Sequence, residues 1–89
     1  MSVPYQLSFS DKALKSLKKI PKSDNERIIS ALEELAIDPA AKVNVKRLNN
    51  HPDAIFRLRV DNYRVLYDRH DAVRIIAVID VGHRKDIYE

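Results

Sequence analysis

The 89 residues, 45% hydrophobic and 33% charged, describe one globular domain over positions 1–89 with a single modest core. Cysteine is absent and the three histidines, His51, His70 and His83, are scattered, which excludes disulfides and thiolate metal centres and leaves no expectation of a metal or other cofactor. A formal charge of +3 is too small to imply nucleic-acid binding by field strength alone; no apolar run approaches the roughly 20 residues of a membrane span and no basic-then-apolar leader opens the chain, so a cytoplasmic location is expected.

Residues 3–9 alternate, with Tyr5, Leu7 and Phe9 on one side and Gln6 and Ser8 on the other, the pattern of a strand with one buried face. Ser10-Asp11 offers an N-cap to a helix that carries Ala13, Leu14, Leu17 and Ile20 and stops before Pro21. Ser23 and Glu26 have capping-box spacing ahead of a second helix, whose stripe is Ile28, Ile29, Leu32, Leu35 and Ala36 and whose end is Asp38-Pro39. The short connection around Pro21 implies antiparallel packing of the two. Val43-Asn44-Val45 reads as a short strand leading to the basic pair Lys46-Arg47, and residues 49–53 read as a loop. Three β-rich runs follow at 55–60, 63–68 and 73–81. Asp61-Asn62 is a two-residue hairpin turn without the favoured glycine, and the last run is apolar on both faces, as a central strand would be. The order is α+β: an N-terminal strand and helical hairpin on one face of a mostly antiparallel sheet of four to five strands.

The basic residues divide by type. Up to Lys42 there are six lysines and one arginine; from Lys46 onward there are seven arginines and two lysines. Arginine's planar fork fits phosphate and carboxylate bidentately, whereas lysine is a flexible, hydrated point charge. If Asp61-Asn62 is the turn, Arg59 opposes Arg64 and Leu58 opposes Val65. One face then collects Phe56, Leu58, Val60, Tyr63, Val65 and Tyr67, and the other Arg57, Arg59, Arg64 and Leu66. Like charges opposed across strands are destabilising, so the cluster implies either an anionic ligand or local offset by Asp68 and Asp80 on a solvated face. A second group lies at residues 81–88. Gly82, the sole glycine, reads as a position that side chains cannot occupy, and it releases the chain into His83, Arg84, Lys85 and then Tyr88.

The run Phe56-Arg57-Leu58-Arg59-Val60-Asp61-Asn62-Tyr63-Arg64-Val65-Leu66-Tyr67 and the run Ile79-Asp80-Val81-Gly82-His83-Arg84-Lys85-Asp86-Ile87-Tyr88 resemble the two signature blocks of the RelE/ParE toxin superfamily at about the family's spacing. The likeness is greater to the RelE-like mRNA interferase branch, and the opening strand and helices match in order. The resemblance implies a RelE-like fold and the toxin of a type II toxin–antitoxin system, a metal-independent endoribonuclease that cleaves mRNA on the ribosome with the ribose 2′-hydroxyl as nucleophile. It implies catalytic roles for Arg64, Arg84, Tyr88 and Arg59. In-line attack builds negative charge that preorganised guanidinium groups stabilise. Arg59 and Arg64 are expected to clamp the scissile phosphate, Arg84 to neutralise the leaving group, and Tyr88 to stack on or orient the target nucleotide. Lys46, Arg47, Arg57, His83 and Lys85 are the expected RNA contacts, with His83 in reserve for acid–base work, histidine being the side chain that ordinarily changes charge near neutrality.

The implied partners are the ribosome with its mRNA and a cognate RelB-like antitoxin, acidic and helix-rich, in a heterotetramer whose antitoxin contacts operator DNA. Alone, the chain is expected to be monomeric or weakly associated. Two other functions fit the same scaffold: a ParE-like toxin that inhibits gyrase without cleaving RNA, and an inactive homologue whose arginine face serves the antitoxin.

Overall fold

A computed structural model describes residues 3–40 and 44–87. Strand β1 (Gln6–Phe9) leads into helices α1 (Asp11–Lys18) and α2 (Lys22–Ile37). Strands β2 (Val45–Arg47), β3 (Phe56–Val60), β4 (Tyr63–His70) and β5 (Ile75–His83) complete one five-stranded sheet in the order β1-β5-β4-β3-β2. Neighbours pair antiparallel except β1, which runs parallel to β5. The α+β architecture expected from the sequence is the one observed.

Ser10 does double duty at the start of α1. Its hydroxyl accepts from the Ala13 N–H at 3.0 Å, satisfying one of the orphan donors of the first turn, and donates to the Ile79 carbonyl at 2.6 Å. α1 thereby takes over the edge of β5 where β1 ends. The expected capping box on α2 does not form. The helix starts at Lys22, so Ser23 lies inside the first turn; the cap position is Pro21, which has no side-chain cap bond. Asn25 instead donates its amide to the Leu17 carbonyl at 2.8 Å and ties the two helices together. β2 includes Lys46 and Arg47, which the sequence placed after the strand, while Val43 lies outside the described residues.

Two apolar clusters sandwich the sheet. The main core joins Ala13, Leu17, Ile28, Leu32 and Leu35 of the helices to Leu58, Val65, Tyr67, Ile76, Val78 and Val81 of the strands. Each fully buried large side chain contributes about 1.5–3 kcal/mol. Leu48, Ala54 and Leu66 form a smaller cluster on the opposite face, with Ile79 and Ile87 packed against it. β5 is thus covered on both faces, as its unbroken apolar run implied. A bulge makes this possible: Leu66 pairs with Asp80 and Tyr67 with Val78, leaving Ile79 as the extra residue. Val78 and Val81 therefore both enter the main core although three positions apart. The loop carrying Leu48 and Ala54 is folded by His51, whose Nδ1 accepts from the Asp53 and Ala54 N–H groups at 3.0 and 3.1 Å.

Tyr67 is 1% exposed, stacked on Phe56 at 5.4 Å between ring centroids, and burial pushes its hydroxyl from the ordinary 10 up to about 12. The unfolded chain gives up this proton first. Stability from the neutral phenol is therefore intact below pH 10 and is lost as pH rises toward 12. Urea titrations across this range are expected to show declining stability, and Tyr67→Phe is expected to flatten part of that decline.

Candidate active site

The β3–β4 register is Val60 to Tyr63, Arg59 to Arg64, Leu58 to Val65, Arg57 to Leu66 and Phe56 to Tyr67, as the two-residue turn predicts. Asp61 adopts the left-handed backbone (φ 52°) that a glycine would otherwise supply, a conformation aspartate tolerates better than most residues. Arg27 of α2 reaches its carboxylate at 3.1 Å. Pairing of Gly82 with Arg64 and of Lys46 with Arg57 extends the pattern over four strands. On the face away from the helices, one row holds Arg59, Arg64 and Gly82, and the next holds Lys46, Arg57, Leu66 and Asp80.

The two opposed arginines differ in depth. Arg59 is exposed, whereas Arg64 is 8% exposed, the one charged residue in the buried class among the described residues. Its Nη1 donates to the Tyr63 carbonyl at 3.1 Å and to the Asp61 carbonyl at 3.5 Å, holding the guanidinium under the turn. The two acids expected to offset the cluster are engaged elsewhere. Asp68 accepts from the Ile55 N–H at 2.8 Å. Asp80 meets Lys12 at 3.4 Å, Ser16 at 3.2 Å and the Val81 N–H at 2.8 Å. A hollow of about 140 Å³ lies between Asn44, Val45, Arg57 and Arg59.

β5 ends in a turn in which the Asp86 and Ile87 N–H groups donate to the His83 carbonyl at 2.8 and 3.1 Å. The Arg84 N–H donates to the Asn62 carbonyl at 2.7 Å, so the backbone of Arg84 is fastened to the loop that separates Arg59 from Arg64. The side chains of Arg84 and Lys85 are exposed. Not every expected residue joins this face. His83 pairs with Tyr63, and their rings meet edge to face at 5.8 Å on the helix side of the sheet. The His83 Nδ1 accepts from the Lys85 N–H at 3.2 Å, so the neutral ring carries its proton on Nε2 and suits hydrogen-bond donation rather than proton abstraction. Tyr63 itself donates to Asp24 at 3.0 Å, and partial burial followed by that bond raises its pKa. Arg47 pairs with Phe56 and so projects to the face opposite Lys46. Tyr88 lies outside the described residues.

Gly82 corrects another expectation. Its φ is not positive, and a Cβ built on it would lie 3.4 Å from the Ile87 Cβ and 3.6 Å from its Cδ1, ordinary contact distances. A methyl fits there; a longer side chain would meet Ile87. The role of Ile87 in closing the outer face was missed in the sequence. Its signal was Leu66, an apolar residue among arginines that needed a cover.

Comparison with known proteins places these features in context. A family model described as the ParE toxin of type II toxin–antitoxin systems, parDE, matches residues 7–88. The mRNA interferase toxin RelE of Escherichia coli (strain K12) is 32% identical over 82 residues, covering 91% of this chain and 84% of that protein. A chain of the toxin–antitoxin complex RelBE2 from Mycobacterium tuberculosis superposes with a TM-score of 0.79 at 28% identity, covering 92% of this chain and 100% of that one. A chain of the archaeal RelE–RelB complex from Pyrococcus horikoshii OT3 gives 0.78 at 22% identity over 96% and 100%, a likeness of fold.

Two stability outcomes follow from this geometry. Arg64→Ala removes a buried donor to two carbonyls and is expected to cost about 1–3 kcal/mol, while Arg59→Ala and Arg84→Ala stay within about 0.5 kcal/mol of the parent in urea denaturation. Gly82→Ala is expected to be neutral or stabilising by up to about 1 kcal/mol, and Gly82→Leu to cost about 1–3 kcal/mol by displacing Ile87. The same titrations check both.

Proposed function

The chain belongs to the RelE/ParE superfamily of type II toxin–antitoxin toxins, RelE-like, and on that premise we propose that it is a ribosome-dependent, metal-independent endoribonuclease that cleaves mRNA. The observation that carries this reading is the pairing of exposed Arg59 with buried Arg64 on the helix-free face, with the Arg84 backbone fastened to their shared turn.

The reaction begins with attack of the 2′-oxygen on the adjacent phosphorus. The P–O5′ bond breaks, the 2′-hydroxyl loses its proton, the 5′-oxygen gains one, and the products are a 2′,3′-cyclic phosphate and a 5′-hydroxyl end. Arginine stays protonated and takes no part in proton transfer. Arg59, beside Arg57, would bind the phosphoryl oxygens directly. Arg64 would act from beneath, where a drier setting screens its charge less. Arg84 would meet the charge developing on the 5′-oxygen, Tyr88 would stack on or orient the nucleotide, and Lys46 and Lys85 would hold flanking phosphates. His83, on the helix side of the sheet, is left without a part at this face. This face stabilises charge; alignment of the 2′-oxygen with the scissile bond would fall to the ribosome, which supplies the orientation that free ribonucleases build for themselves. A RelB-like antitoxin is the expected partner, in a heterotetramer that contacts DNA through the antitoxin; the relatives seen in toxin–antitoxin complexes support it.

A second reading, gyrase inhibition, is favoured by the match to a ParE toxin model. The arginine face weighs against it, because it offers phosphate chemistry that a pure protein binder does not need. Primer extension on translated mRNA separates the two. Cleavage by the unaltered chain is expected, reduced about 100-fold or more in Arg59→Ala and Arg84→Ala and clearly reduced in Tyr88→Phe. Undiminished cleavage in all three variants removes the mechanism. Absence of cleavage together with inhibition of supercoiling transfers the assignment to the gyrase reading.

A further inference from the structure

The row formed by Arg59, Arg64 and Gly82 has a fourth member at the open edge of the sheet. The Arg59 N–H donates to the Asn44 carbonyl at 2.9 Å, and Val45 pairs with Leu58, so Asn44 opposes Arg59 immediately before the edge strand β2. By alternation Asn44 and Lys46 share the outer face, while Val45 turns its side chain toward the main core and leaves its backbone beneath them. The fold uses the backbone of Asn44. Its side-chain amide is exposed, and among the described residues it has no hydrogen-bond partner. That amide, the Val45 backbone, Arg57 and Arg59 line the hollow of about 140 Å³.

The donor set of this hollow is not that of a phosphate seat. A phosphate takes donors alone, and a cation at position 44 would serve it better than an uncharged amide beside Lys46, Arg57 and Arg59. An amide sets an acceptor next to a donor, which suits the edge of a nucleobase. Single-stranded RNA is read in this way: bases splay out, stack on guanidinium planes and bond through their Watson–Crick and Hoogsteen edges. Stacking tolerates every base, so Arg57 and Arg59 would hold the base while Asn44 chooses it. Adenine offers an amino donor beside a ring acceptor on both edges, N6 with N1 and N6 with N7, and it is the base that asparagine pairs with bidentately. The position in the row says which base is meant. Arg84, assigned to the leaving 5′-oxygen, belongs to the segment that follows Gly82 at the other end. Three strand spacings, about 14 Å, separate that end from Asn44. With the phosphate held between them, the nucleotide at the Asn44 end is the one that carries the attacking 2′-hydroxyl.

We propose that Asn44 is a specificity-determining residue, reading an adenine on the 5′ side of the cleaved bond in the hollow between Arg57 and Arg59. This rests on the reading of the chain as an mRNA endonuclease. The test uses ribosomes programmed with four mRNAs that differ in that base alone, cut by the unaltered full chain, by Asn44→Ala and by Asn44→Lys, with cleavage rates taken from primer extension. The unaltered chain is expected to cut the adenine message about ten-fold faster than the other three. Asn44→Ala is expected to bring all four to within about three-fold of one another by slowing the adenine message, and Asn44→Lys to lose the preference although it adds charge. Circular dichroism checks that both variants keep the fold. An unaltered chain that cuts without preferring adenine overturns the proposal, as does a preference that survives in Asn44→Ala. Equal slowing of all four messages by Asn44→Ala overturns it too, since that marks a structural part. So does a lysine variant that matches or exceeds the parent on every message with the preference intact, which makes the hollow a phosphate seat. If the unaltered chain cuts none of the four, the functional reading falls and this inference with it; in every other failing case the nuclease stands and only the part given to Asn44 is lost.

Discussion

The arrangement of the candidate site is set by the register of β4 against its two neighbours, and that register is enforced from the other side of the sheet. Leu58, Val65 and Tyr67 must face the helices to complete the main core. Because side chains alternate, Arg57, Arg59 and Arg64 must then face away. A slip of one residue would turn the arginines inward and the core outward, a penalty of many kilocalories that no local adjustment could offset. Hydrophobic packing thus aims groups it never touches. The Asp61 turn and the bond from the Arg64 guanidinium to the Tyr63 carbonyl fix the end of the hairpin, but the direction of the charges is inherited from the core.

Much of this was legible in the sequence because it obeys simple periodicities. The alternation of residues 56–67 with a two-residue break specified the hairpin pairing, and the apolar run of β5 announced a strand covered on both sides. What was not legible depended on contacts between distant segments. The bulge at Ile79 shifts the alternation of β5 and cannot be seen in a run that is apolar at nearly every position. Ser23 and Glu26 had the spacing of a capping box, yet the chain enters α2 two residues earlier, where Asn25 can bond Leu17. Gly82 looked like a conformational necessity; it has ordinary strand geometry and merely lies under Ile87. Lys46 and Arg47 looked like a pair and are divided by the pleat.

The separation of lysine and arginine along the chain finds its counterpart in space. Arginines cluster on rigid strands with one of them buried, while the lysines of α1 stand in solvent on a helix. A buried guanidinium is costly unless its donors are satisfied, and Arg64 spends donors on backbone carbonyls of its own hairpin. Strength of local structure and strength of local field are therefore the same set of bonds at this point of the molecule.

The parallel pairing of β1 with β5 has a further bearing, on how the molecule comes into being. Ser10 and Ile79, which share a hydrogen bond, are 69 residues apart in sequence, and among the described residues β5 is the one strand that pairs with β1. A chain emerging from synthesis can form its helices early, but its first strand must wait, with Leu7 and Phe9 uncovered, until the segment ending at His83 arrives. The entropy of closing so long a loop makes that step slow and places it late. The same segment brings Gly82 beside Arg64 and fastens Arg84 to the turn. Birth of the fold and birth of the site are one event, and no partial chain lacking β5 can possess either.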